Sequence, residues 1–148
     1  MIYQGKARYP VNEVMLHCAA VSTGYFLNQT PFQVFSTINK WHHERGWKNG
    51  FGYHALVMPD GQWMSGRPRE MIGAGCIGKN QGVFHLLMIE SRRVEIIGEA
   101  LNWFSRECIE SARQIIRSLP GIETVSGHND YAPKLCPGFK VKSEDWLN

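Results

Sequence analysis

The sequence predicts a mixed α+β fold of the α/β class, with a central mixed β-sheet flanked by helices, and three observations carry that reading. Two segments, Val11 to Val21 and Val83 to Ile89, are rich in Val, Met, Leu and Ala or Phe, which suits strands buried in a sheet. Two other segments place apolar residues at helical intervals, the signature of a face packed on a core. Between them, residues 52–66 hold two apolar runs around Pro59-Asp60-Gly61, the turn chemistry of a hairpin.

The elements follow in order. The first strand lies within Val11 to Val21, with His17 near its end. At Thr30-Pro31-Phe32-Gln33, a Thr cap, a Pro at the first helical position and a Gln three residues after the cap announce a helix. Phe35, Ile38 and Trp41 continue it on one face, and Gly46 stops it. Tyr53 and His54 open the hairpin, and as strand neighbours they point to opposite faces. Residues 73–82 hold four glycines and read as an irregular loop without the GK[ST] ending of a phosphate cradle. From Ile97 the positions Leu101, Phe104, Cys108, Ala112, Ile115 and Leu119 trace one helical stripe that Pro120-Gly121 ends. The tail from Ser126 carries Pro133, Pro137 and Gly138 and reads mostly as loop.

A length of 148 residues with 43% hydrophobic content fits one domain spanning 1–148. Sixteen Lys and Arg against thirteen Asp and Glu leave a net charge of +3, scattered along the chain and too small to indicate nucleic-acid binding. No stretch is long and apolar enough to insert in a membrane, and the N-terminus lacks a signal-type apolar run, so a cytoplasmic, uncleaved product is expected. A monomer is the default. The cysteines, at 18, 76, 108 and 136, show neither CxxC pairing nor the density of a disulfide scaffold, so reduced thiols are expected. Cys18 and Cys108 read as small core residues. Cys76, in the glycine-rich loop, reads as exposed and the best reactive thiol after Cys136.

Zinc favours neutral imidazoles and thiolates, and a catalytic site keeps three protein ligands so that the fourth position holds water. His128 and Cys136 are eight residues apart in a Pro-containing loop, which can fold back to bring both to one point, and His17 at a strand end can supply a third donor. Six histidines and four cysteines allow other triplets, and spacing alone ranks His54 beside His17. His42 and His43, on the first helix, read as exposed or partly packed, and His85 as a hydrogen-bonded core residue.

Four ordered blocks narrow the choice. They are Val14 to Ala20 (VMLHCAA), then His43 to Trp47 with Gly52-Tyr53-His54, Pro59-Asp60-Gly61 and Gly66-Arg67-Pro68, then Gly73 to Asn80, and finally Ser126 to Gly138 (SGHNDYAPKLCPG). In these the chain resembles the zinc-dependent N-acetylmuramoyl-L-alanine amidases of the type-two amidase and peptidoglycan-recognition-protein superfamily, especially small phage lysozymes of amidase type. The resemblance implies Zn2+ bound by His17, His128 and Cys136, with Tyr53 and Lys134 in the two assisting catalytic positions. It implies hydrolysis of the amide joining N-acetylmuramic acid to L-alanine in bacterial peptidoglycan, by an endolysin that reaches the wall after release. Two alternatives stand beside it: a peptidoglycan-recognition module that binds without cutting, and a zinc protein that regulates a partner enzyme.

The match departs in the third block, where the family usually reads AHxxGxN. Here Gly75 stands in place of that histidine, while His85 occupies a strand position where the family commonly has glycine. The pair reads as a compensating exchange, with the His85 ring filling the space left at Gly75. Neither position is a ligand by this match, so the exchange is expected to touch substrate contacts more than metal binding.

Overall fold

Four parallel strands and one antiparallel edge strand form the central sheet of the computed structural model, which describes residues 1–148. A short antiparallel ribbon comes first, β1 (Tyr3–Gln4) with β2 (Tyr9–Pro10). Then follow β3 (Glu13–His17), helix α1 (Pro31–Glu44), β4 (Ala55–Val57), β5 (Trp63–Ser65) and β6 (Val83–Met88). Helices α2 (Ala100–Trp103) and α3 (Arg106–Ser118), strand β7 (Thr124–Gly127), a 3-10 turn at His128–Asp130 and helix α4 (Glu144–Leu147) complete the chain.

The sheet order is β5-β4-β6-β3-β7, with β3 paired in parallel to both β6 and β7, β4 parallel to β6, and β5 antiparallel to β4. Parallel strands covered on both faces need apolar residues on both, which is why β3 and β6 read as runs and every residue of each is buried. On one face Val14, Leu16, Leu86 and Met88 pack against Cys108, Ala112, Ile115 and Ile116 of α3. On the other, Leu56, Leu87 and Ile89 pack against Val34 and Ile38 of α1. Burying one isoleucine stabilises the fold by about 1.5–3 kcal/mol, so these two helices seal the sheet.

Local chemistry starts and stops α1 as expected. Thr30 accepts from the Gln33 N–H while the Gln33 side chain accepts from the Thr30 N–H, a reciprocal cap. Gly46 takes a φ of 88° just past the last turn, a conformation that side chains with a Cβ resist. The 58–62 turn closes through the Gly61 N–H donating to the Met58 carbonyl and the Gln62 N–H donating to Asp60 Oδ1. The hairpin ladder continues below β4, with the Arg67 N–H bonded to the Tyr53 carbonyl and the Gly66 N–H to the His54 carbonyl.

Four expectations are corrected. The stripe from Ile97 is not one helix: α2 ends at Trp103, Phe104 is extended, and Ser105 caps a new helix by accepting from the Cys108 N–H. Ile97 and Leu101 are accordingly exposed. The tail is more ordered than a loop, because Thr124–Gly127 pairs with β3 and residues 144–147 form a helix whose Trp146 is buried against the core. His42 is buried, its Nδ1 accepting from the Gly52 N–H at 2.9 Å, whereas His43 is exposed. Cys76 is also buried, packed with Met15 and Val83, and burial pushes its thiol up, away from the reactive thiolate.

Ser105 joins two jobs, capping α3 and donating to the Pro59 carbonyl of the hairpin turn. Ser105→Ala is expected to lower stability by about 1–2 kcal/mol in urea titrations, with an unchanged dependence on urea concentration.

Candidate metal centre

Parallel pairing brings the first two donors together. Leu16 lies opposite Gly127 in the β3–β7 ladder, so His17, the last residue of β3, and His128, the residue just after β7, follow at the same carboxyl edge. That edge of an open parallel sheet is where ligands bind. The two rings lie 4.9 Å apart between centroids, and His17 is 1% exposed while His128 is half-buried.

Cys136 arrives by the return of the tail. The Asn129 N–H donates to the Cys136 carbonyl, and Asn129 Nδ2 donates to the carbonyls of Leu135 and Phe139, pinning the loop to itself. Trp103 Nε1 donates to the Gly138 carbonyl at 2.8 Å, which anchors the loop to the core. Cys136 Sγ then sits 3.9 Å from His17 Nδ1 and accepts from the Cys18 N–H at 3.1 Å.

The donor atoms of His17, His128 and Cys136 all lie within 4.8 Å of one another. A tetrahedral ion with ligand bonds of about 2.0–2.3 Å needs donors roughly 3.5 Å apart, so modest closure suffices and the set fits a metal. Protonation fits as well. Burial holds the His17 imidazole below its ordinary pKa, in the neutral form a metal needs. The Cys136 thiol is drawn well below its ordinary value by a hydrogen bond from the Cys18 thiol, with His128 and His17 adding to it against desolvation. Cys18 is pushed up in return, so one thiolate of the pair is favoured and it is the one facing the imidazoles.

The two assisting positions are placed differently. The Tyr53 ring lies 5.1 Å from the His17 ring, half-buried among Phe51, His42 and His17. Burial pushes its phenol up, with the Cys136 charge adding, so at neutral pH it is a donor. Lys134 is exposed, on the loop between His128 and Cys136, and its amine makes no hydrogen bond or ion pair within the chain.

Around the donors stands a polar layer that spacing did not reveal. His85 Nδ1 lies 2.8 Å from His17 Nε2, and His85 Nε2 lies 2.9 Å from Asn80 Oδ1. A Cβ placed on Gly75 would fall 2.3 Å from His85 Nδ1, so the ring does fill the space beside Gly75. The exchange, expected to touch substrate contacts more than metal binding, also reaches a candidate donor, since His85 bonds directly to His17. His54 is satisfied and buried, with Nδ1 accepting from the His85 N–H and Nε2 donating to the Met71 carbonyl. Glu90, unremarked in the sequence, accepts the N–H groups of Ala19, Ala20 and Val21 just after His17.

No family model matches the chain. The endolysin of Klebsiella phage KP32 is 25% identical over 138 residues, covering 91% of this chain and 85% of that protein. Among solved structures, N-acetylmuramoyl-L-alanine amidase LysC from Clostridium intestinale URNW superposes with a TM-score of 0.71 at 24% identity, covering 93% of this chain and 83% of that one. Drosophila PGRP-LB superposes at 0.72 with 21% identity, covering 92% and 78%. These solved structures share the fold of this chain. Within this fold the His17, His128 and Cys136 cluster lies at the carboxyl edge of the sheet, and Lys134 is exposed on the loop that joins two of the donors.

Two predictions follow from the packing around the donors. Gly75→Ala drives a Cβ into the fixed His85 ring and is expected to cost about 1–3 kcal/mol in urea titrations. His42 and His54 are each held, chiefly by burial, at a pKa of about 4 instead of 6.5. The unfolded chain therefore gains protons that the fold refuses: stability is complete above about pH 6.5 and falls as pH drops towards 4. A calorimetric pH series should show that decline in Tm, and His42→Gln, which keeps an acceptor for Gly52, should make it shallower.

Proposed function

We propose that this chain is a zinc-dependent N-acetylmuramoyl-L-alanine amidase of endolysin type, hydrolysing the amide between N-acetylmuramic acid and L-alanine in bacterial peptidoglycan. The observation that carries the reading is the convergence of two imidazoles and a polarised thiol within 4.8 Å, at the ligand-binding edge of an amidase-type sheet. Residues 1–148 act as one catalytic unit, as a monomer. The protein is made in the cytoplasm and meets the wall after release, in keeping with its similarity to phage endolysins.

His17, His128 and Cys136 would hold the zinc. Zinc, when bound there, supplies a Lewis acid that makes water nucleophilic near neutral pH and polarises a carbonyl. Half-buried beside His17, Tyr53 keeps its proton and donates a hydrogen bond to the oxyanion that develops as the amide is attacked. Lys134, two residues before Cys136 on the exposed rim, brings a positive charge to the same side. Both carry a proton that the leaving amine requires. The Cys18 N–H fixes the Cys136 sulfur in place, so the thiolate does not have to be reoriented for each turnover.

Purified protein added to bacterial walls should expose new N-terminal alanine, and a chelator or Cys136→Ser should abolish that release. Tyr53→Phe should lower kcat by about 10²–10³-fold with KM little changed, the cost of losing one oxyanion donor. Alanine released equally under all conditions rejects the zinc mechanism. Walls bound without any release would instead favour a recognition module.

A further inference from the structure

Asn80, His85 and His17 form a chain of hydrogen bonds whose proton positions follow from geometry. Asn80 Oδ1 lies 3.0 Å from both the Gly75 N and the Cys76 N, two obligate donors, so this atom is the carbonyl oxygen of the side chain and only accepts. The same oxygen is 2.9 Å from His85 Nε2, which must therefore carry a hydrogen. A neutral imidazole has one N–H, which leaves His85 Nδ1 as an acceptor. His17 Nε2, 2.8 Å away, then supplies the hydrogen to that contact. His17 is left with its lone pair on Nδ1, the nitrogen that faces Cys136 Sγ at 3.9 Å.

The ring that passes this instruction is itself clamped. His85 is fully buried in β6, and its backbone N–H is tied to His54. Added Cβ atoms at Gly73 and Gly75 would fall 2.6 Å and 2.3 Å from its ring atoms, so the glycine loop wraps it on both flanks. Two glycines and an asparagine of one loop thus select the orientation of an imidazole in the neighbouring strand.

We propose that His85, oriented by Asn80, is a positioning residue of the metal centre that locks His17 in the tautomer presenting Nδ1 to the ion. The proposal rests on the zinc reading for its function, whereas the tautomer itself belongs to the zinc-free protein. The nitrogen that binds a metal is set by the hydrogen bond made by the other, and such supporting partners commonly govern affinity.

Two measurements test it. In zinc-free wild-type protein with 15N-labelled histidine, long-range 1H–15N spectra should show His17 protonated at Nε2 and bare at Nδ1. A His17 that carries its proton on Nδ1 overturns the proposal, and this experiment needs no variant. His85→Phe keeps a ring in the cavity but offers no acceptor. In competition with a chromophoric chelator, its zinc affinity should fall about 10–100-fold, with His17 losing its single tautomer. A folded H85F protein that binds zinc as tightly as wild type also overturns it. Wild-type protein that binds no zinc while showing the Nε2–H tautomer would instead remove the zinc reading and leave the hydrogen-bond chain standing.

Discussion

β3 lies between two parallel neighbours, and that placement governs both the stability of the fold and the geometry of its site. A parallel strand with both edges paired exposes no ladder groups, and its side chains face a helix-covered core on either side. Because parallel neighbours end on the same edge, the last residue of β3 and the residue after β7 become neighbours in space although 111 positions separate His17 from His128 in the chain. The C-terminal loop has only to fold back over this edge to deliver Cys136. Shifting either strand would dismantle the donor set without altering any donor.

The cost of this arrangement is concentrated where the donors are. A thiolate and two imidazoles converging beside a sheet edge are partly removed from water, and an unpaired buried charge is expensive. The chain offsets that cost with polar groups drawn from separate elements: the Cys18 N–H on the sulfur, His85 on His17, and Asn80 behind His85. His85 and Asn80 are each tied to further partners, so this part of the layer holds its shape through bonds within the chain. The two helices stay out of this chemistry, sealing the opposite faces of the sheet with apolar side chains.

What could be read from the sequence follows the range of the interaction involved. The cap at Thr30, the turn at Pro59 to Gly61 and the apolar run of β6 depend on residues a few positions apart, and all three are found where expected. The break at Ser105 was hidden because a helical stripe of apolar residues continued through it, whereas the hydroxyl cap that divides the two helices is a single residue. β7 is short and half polar, and it becomes a strand because β3 offers it an edge. Spacing alone did not choose among the possible ligand triplets, and the ordered motifs did. The Asn80–His85–His17 chain was illegible because it joins a loop and two strands whose pairing no local pattern declares.

Glu90 carries a consequence for assembly. It follows β6, and the three N–H groups it accepts, from Ala19 to Val21, follow β3, so the carboxylate can be satisfied only when the two strands are already side by side. A slip of one residue would move it about 3.3 Å along the strand, out of hydrogen-bonding reach, and leave a buried acid facing nothing. The carboxylate therefore acts as an alignment check on the two central strands. A misregistered chain carries a penalty beside His17, so the contact that aligns the two central strands also fixes the edge on which the donors meet.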